Sequence, residues 1–139
     1  MDWLFWAILS AFFAGATAIL AKVGVAEINS NLATAIRTTV ILVFTWAIAL
    51  LTTKGSDFLS IERRVWFFLV LSGIATGLSW LCYFRALQLG AVSKVAPIDK
   101  SSVVIAMVLA IAFLGEKLSV RGGIGAGLIV LGAIVLAWR

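Results

Sequence analysis

Residues 3–21 read WLFWAILSAFFAGATAILA, and no charged side chain interrupts them before Lys22. As a helix the stretch is about 29 Å long at 1.5 Å per residue, close to the ~30 Å thickness of a bilayer's hydrocarbon core. Four comparable runs follow. The second goes from Leu32 to Thr53 and is interrupted only by Arg37. The third goes from Val65 to Phe84 and can continue to Leu89, and the fourth goes from about Val92 to Leu114 and contains Pro97, Asp99 and Lys100. The fifth goes from about Ser119 to Trp138. The runs are continuously apolar, so they do not alternate as the strands of a membrane barrel must. The expectation is an all-α integral membrane protein, one domain over residues 1–139 with five transmembrane helices at about 3–22, 32–53, 65–89, 92–114 and 119–138.

Composition agrees. Of 139 residues, 63% are hydrophobic and 12% charged, and the mean hydropathy is +1.17. So few charges cannot cover a soluble surface, and so apolar a chain is not disordered. The net charge of +5 would suggest nucleic acid in a soluble protein. Here the basic residues end apolar runs and read as membrane-flanking charge, so no nucleic-acid partner is expected. The sequence holds no His, and its one cysteine, Cys82, cannot form an internal disulfide. With no carboxylate pair on one face and no phosphate-cradling loop, no enzyme activity, cofactor or metal is expected. The opening Met1-Asp2-Trp3 lacks the basic region of a cleaved signal, so the first run reads as a retained helix.

The connections are short: Gly24 to Asn31, Lys54 to Arg64 with a break at Gly55 to Asp57, a turn near Gly90, and Gly115 to Leu118. Ser30 or Asn31 can cap the second helix and Ser119 the fifth. Trp3, Trp6, Trp46, Trp66 and Trp138 lie toward helix ends, where aromatic belts form. Five crossings put the termini on opposite sides. One side carries Lys54, Arg63, Arg64, Lys117 and Arg121; the other carries Lys22, Arg85, Lys94 and Arg139, with Arg37 and Lys100 as further candidates. A strong imbalance would fix the orientation. This near-balance admits two readings, a single orientation set by a small difference or a partner, and dual topology.

Small residues repeat at four-residue spacing: Ser10, Ala14 and Ala18 leading to Lys22; Gly73 and Gly77; Gly123 and Gly127, with Gly132 beyond. Such faces let helix backbones approach closely in lipid. Gly123, Gly127 and Gly132 are the candidate dimer or packing face.

Ionisable residues inside spans are costly and are functional candidates by default. Here they are Lys22, Arg37, Asp99 and Lys100. Asp99 and Lys100 are adjacent and point about 100° apart on a helix, so they are expected to face each other poorly. Lys100 would then need a partner elsewhere, or snorkel. Ser72, Thr76, Ser79 and Tyr83 form a polar stripe on the third helix that can line a wet path; the plain alternative is hydroxyls bonded to their own helix carbonyls. Pro97 is either a helix break of the kind found at transporter sites or a simple N-terminal proline.

The stretches Tyr83 to Leu87, Gly90 to Pro97 and Phe113 to Ser119, followed by the Gly-rich last helix, resemble the EamA domain of the drug/metabolite transporter superfamily. Lys22, Asn31 to Arg37 and the Ala-Pro-Ile-Asp-Lys-Ser-Ser run resemble a subgroup of single-domain, five-helix prokaryotic members. Most members have ten helices, as two five-helix halves in opposite orientation. The resemblance therefore implies one half in the prokaryotic plasma (inner) membrane, with two antiparallel copies rebuilding the inverted repeat. It also implies a cavity lined by the first, third and fourth helices. That maps onto Lys22, the Ser72 to Tyr83 stripe, Trp80 and the Asp99 region. Small multidrug resistance proteins, a related family, use a Glu in the first helix for cations; the middle of the first helix here holds none.

The expected function is secondary transport of small metabolites by a dimer working through alternating access. Lys22, Arg37, Asp99 and Lys100 give a net positive site, so the substrate is expected to carry an anionic group. Trp80 and Tyr83 would supply apolar and stacking contacts. The competing reading is a non-transporting membrane subunit that packs against a second protein.

Overall fold

The computed structural model describes residues 2–56 and 60–138. Met1, Asp57 of the expected break and Arg139 of the charge count lie outside the described residues. Among the described residues these helices run in order: α1 Trp3–Val25, α2 Ser30–Thr52, α3 Arg63–Leu89, α4 Val92–Lys100, α5 Ser102–Leu114 and α6 Val120–Ala137. There is no strand among the described residues. Helices α4 and α5 are two halves of one span-length stretch, Val92–Leu114, so among the described residues five helical stretches are long and apolar enough to cross a membrane.

Local chemistry sets the ends. The cap of α2 is Asn29, one residue before the expected pair: its side chain accepts the Asn31 N–H at 2.9 Å. Ser30 is buried in the first turn, and its carbonyl accepts the Thr34 hydroxyl at 2.8 Å. Its neighbour Asn29, still outside the helix, is the residue whose oxygen can reach the free N–H groups. Ser119 caps α6 as expected, accepting the Gly122 N–H at 3.1 Å. Gly115, at φ 67°, ends α5 in the left-handed region that only glycine enters without strain.

Helix α2 carries many threonines for a span. Thr34, Thr38, Thr39, Thr45 and Thr52 each donate to a carbonyl one turn back, at 2.8–3.1 Å. These bonds satisfy the hydroxyls within the helix and let α2 sit in lipid. The long α3, with 27 residues, reaches about 40 Å and exceeds the hydrocarbon core, so it projects or tilts.

The chain divides into two compact units. One holds the chain up to Lys22 together with everything from Leu89 onward; the other is Val23–Gln88. In the first, α4 packs along α6, and α5 touches both. Its buried apolar residues are Ala18, Ala21 and Ala133. In the second, Val25, Ala33, Phe84 and Leu87 are buried together with Ser30 and Thr34. Most other large apolar side chains are exposed, as lipid-facing residues are.

Candidate functional site

In the Val23–Gln88 unit, Arg37 lies seven residues into α2, about 10 Å along its axis. Its guanidinium carbon stands 4.3 Å from the centroid of the Trp80 ring and 5.5 Å from that of Phe84. Trp80 and Phe84 are four apart on α3 and therefore share a face. Tyr83, on the same side, is near enough to interact electrostatically with the guanidinium. Phe84 is buried, while Arg37, Trp80 and Tyr83 are half-buried. Among the described residues Arg37 has no carboxylate partner. Two rings therefore hold it, each worth roughly 0.5–2 kcal/mol depending on desolvation. An arginine at a span centre costs about 2.5–3.5 kcal/mol on insertion scales; Arg37 lies nearer the start of α2 and costs less, so the rings offset much of that cost.

The polar stripe continues along α3 from this cluster. The Thr76 hydroxyl donates to the Ser72 carbonyl at 2.9 Å, the plain alternative weighed for it. Ser72, Thr76 and Ser79 are exposed.

In the other unit, Lys22 donates to the Gly90 carbonyl at 2.9 Å. The ammonium thus ties the last turns of the first span to the turn that opens the fourth. Asp99 and Lys100 do meet, at 3.4 Å, although adjacent helical residues diverge. Lys100 is 64% exposed and its flexible stem folds back; the helix also ends right after it. The interaction is long and wet, of the class worth at most ~1 kcal/mol. Pro97 lies inside α4, and the interruption falls four residues later, at Ser101. There the Ser101 N–H donates to Ile98 and the Val104 N–H to Ser101, both at 3.0 Å and three residues back, a tightened 3₁₀-type turn.

An apolar groove of about 480 Å³ lies between α5 and α6, lined by Val104, Met107, Ile111, Leu118, Gly123 and Gly127 among others. It has no ionisable lining residue and none of the expected substrate contacts. Gly127 and Gly132 meet nothing within 4 Å at the position of a Cβ, nor do Gly73 and Gly77. The close approach on α6 is at Gly122, where a Cβ would stand 3.1 Å from Leu118 Cδ1 and 3.6 Å from Met107 Cε.

Sequence reasoning missed Gln88. Its amide nitrogen donates to the Ile28 carbonyl at 2.9 Å and the Val25 carbonyl at 3.4 Å, while its oxygen accepts from Arg85 at 2.7 Å. The signal was available: the last carbonyls of α1 need donors, and Gln88 is an uncharged donor near the end of an apolar run. Phe84 was missed too, and its spacing of four from Trp80 is the cue.

Five span-length helices among the described residues define a polytopic membrane protein, and one of them carries a guanidinium set against two aromatic rings. The model of the EamA-like transporter family matches residues 1–138. The chain belongs to that family of membrane transporters. It is 53% identical over 136 residues to a Sinorhizobium sp. protein described as an "uncharacterized transporter in cobO 3'region". The match covers 98% of this chain and 96% of that relative. No solved structure matches the chain at a significant level.

Proposed function

We propose that the chain is a secondary transporter of small metabolites that works as an antiparallel homodimer by alternating access. The observation that carries the reading is the family match over residues 1–138 of a chain with five span-length helices. Five crossings give one set of helices in one orientation, and a second, inverted copy supplies the opposing set that alternating access rocks against. Three further observations support it. The relative at 53% identity is itself of about this length. The flanking charge is nearly balanced. The glycine faces at Gly73 and Gly77 on α3 and at Gly127 and Gly132 on α6 stand open within the chain and suit close contact between copies.

The substrate carries an anionic group and meets Arg37, with Trp80 and Tyr83 beside it. The Ser72, Thr76 and Ser79 hydroxyls line the approach along α3. Asp99 couples transport by binding a cation or a proton, and Lys100 tunes its charge. Purified protein in liposomes, screened for accumulation of labelled organic anions, tests this. Loss of uptake in Asp99→Asn with retained substrate binding supports the coupling role; unchanged uptake refutes it. Reporters fused to the C-terminus test the dimer. Signal from both sides of the membrane is expected, and a single-sided result overturns dual topology.

A further inference from the structure

Of the four intramembrane charged positions in the sequence, three have a polar partner in the chain. Lys22 is on the Gly90 carbonyl, and Asp99 and Lys100 are on each other. Arg37 differs. Its contacts are aromatic, Trp80 at 4.3 Å and Phe84 at 5.5 Å, with Tyr83 nearby. Rings attract the cation through their faces and take none of its N–H bonds. A guanidinium has five such donors and no way to shed its charge. About 10 Å along a span, those donors face a medium where an unmet polar group costs several kcal/mol.

We propose that Arg37 receives the carboxylate of a small organic monoanion with an apolar body, and that Trp80 and Phe84 are positioning residues that hold the guanidinium for it. The class follows from the chemistry. The planar N–H fork matches a carboxylate in two parallel hydrogen bonds. One guanidinium neutralises one negative charge. A dianion such as hydrogen phosphate, the form that prevails above neutral pH, would keep a net charge in low dielectric, at a penalty the site has nothing to offset. The groups beside the guanidinium are the Trp80 indole, the Phe84 ring and, near them, the Tyr83 phenol, so the body of the ligand next to the carboxylate is apolar. Trp80 and Phe84 cannot hydrogen-bond the carboxylate through their ring faces. Their part is to keep the long arginine side chain from collapsing toward the interface, which lowers the ordering cost of binding.

This inference rests on the transport reading, but binding can be measured without transport. The full chain is placed in phosphatidylcholine nanodiscs, and saturable stabilisation against heat is measured with hexanoate, hexanamide and inorganic phosphate. Hexanoate is expected to stabilise, and to do so at concentrations at least tenfold below those needed for its neutral amide or for phosphate. Arg37→Gln is expected to erase the preference for hexanoate over hexanamide. Arg37→Lys keeps the charge without the fork and is expected to restore only part of it. Trp80→Leu is expected to shrink the same ratio several-fold and Trp80→Phe to rescue it, a pattern that general loss of folding does not produce. Equal stabilisation by hexanoate and hexanamide in the wild type overturns the proposal, even if every variant fails to fold. Phosphate acting better than hexanoate does so as well. So does displacement of hexanoate by phosphatidylglycerol added to the nanodisc, which would assign Arg37 to a lipid headgroup. If hexanoate preference holds while liposomes show no uptake of any anion, the binding site stands and the transport reading falls.

Discussion

Gln88 offers the sharpest test of what holds the Val23–Gln88 unit together. Its amide nitrogen reaches two carbonyls, Ile28 at 2.9 Å and Val25 at 3.4 Å, and Arg85 holds its oxygen at 2.7 Å. Gln88→Leu keeps the volume and removes both donors. The shorter bond is worth about 1 kcal/mol net. The longer one is geometrically weak, but Val25 is fully buried, and a buried carbonyl left unmet costs about 1–3 kcal/mol. Ile28 is 37% exposed, so water can replace the amide there. The expected loss is therefore about 1.5–3 kcal/mol. Gln88→Glu sharpens the test. Glutamate keeps the Arg85 contact, worth at most ~1 kcal/mol on a surface, and turns an acceptor toward two acceptors. It should be no more stable than the leucine variant. The assay is reversible unfolding by SDS in mixed micelles, followed by circular dichroism at one fixed protein concentration because oligomerisation shifts apparent stability. A glutamate variant as stable as wild type would refute the reasoning, because it would mean the amide bonds to the Val25 and Ile28 carbonyls contribute nothing.

Three further outcomes are expected. Lys22→Met removes a charged donor from the Gly90 carbonyl and should cost about 1.5–3 kcal/mol in the same assay; a variant of unchanged stability that has lost uptake would make Lys22 a substrate contact instead. Gly122→Ala puts a Cβ 3.1 Å from Leu118 Cδ1, which must shift by a few tenths of an ångström, so it should gain less stability than Gly73→Ala, an open position where alanine's helix propensity of about 1 kcal/mol is realised in full; the comparison of the two midpoints decides. Ser119→Ala removes the cap on Gly122 and should cost about 1 kcal/mol, with Ser119→Asp close to wild type; faster amide exchange confined to the first turn of α6 is the local readout.

The spans were legible because the bilayer imposes a length and an unbroken apolar character that few alternatives share. Arg37 and Trp80 were legible as individual candidates, since a charge in a run such as Leu32 to Thr53 has no cheap explanation. Their pairing was not. Periodicity places Trp80 and Phe84 on one face of α3, but which face α2 meets depends on helix rotation, which a single sequence does not encode. The helix interruption shows the same limit. Proline marks where a carbonyl loses its donor, yet the turn itself falls at Ser101, where the backbone shifts to three-residue hydrogen bonds. The Asp99–Lys100 contact, long and exposed as poorly facing residues imply, forms for another reason. The angular argument fixes Cβ directions, whereas a four-carbon lysine stem at a helix end can fold back.

Whether Arg37 stabilises the fold or burdens it can be decided by arithmetic and one substitution. Arginine at a span centre costs about 2.5–3.5 kcal/mol on insertion scales, an upper bound for Arg37, which lies nearer the start of α2, while leucine gains about 0.3–0.6. Exchanging them relieves at most roughly 3–4 kcal/mol. Against that stands the loss of attraction to Trp80 at 4.3 Å and the more distant Phe84 at 5.5 Å, together about 1–2.5 kcal/mol for half-buried groups. Arg37→Leu should therefore raise stability by up to about 3 kcal/mol in the SDS assay. A residue kept at a cost in stability is kept for something other than folding, as stability–function trade-offs at working sites show. A fall in stability of 2 kcal/mol or more would reverse the conclusion. It would make the ring-held guanidinium a structural element of the α2–α3 pair, with no role left for a ligand in explaining it.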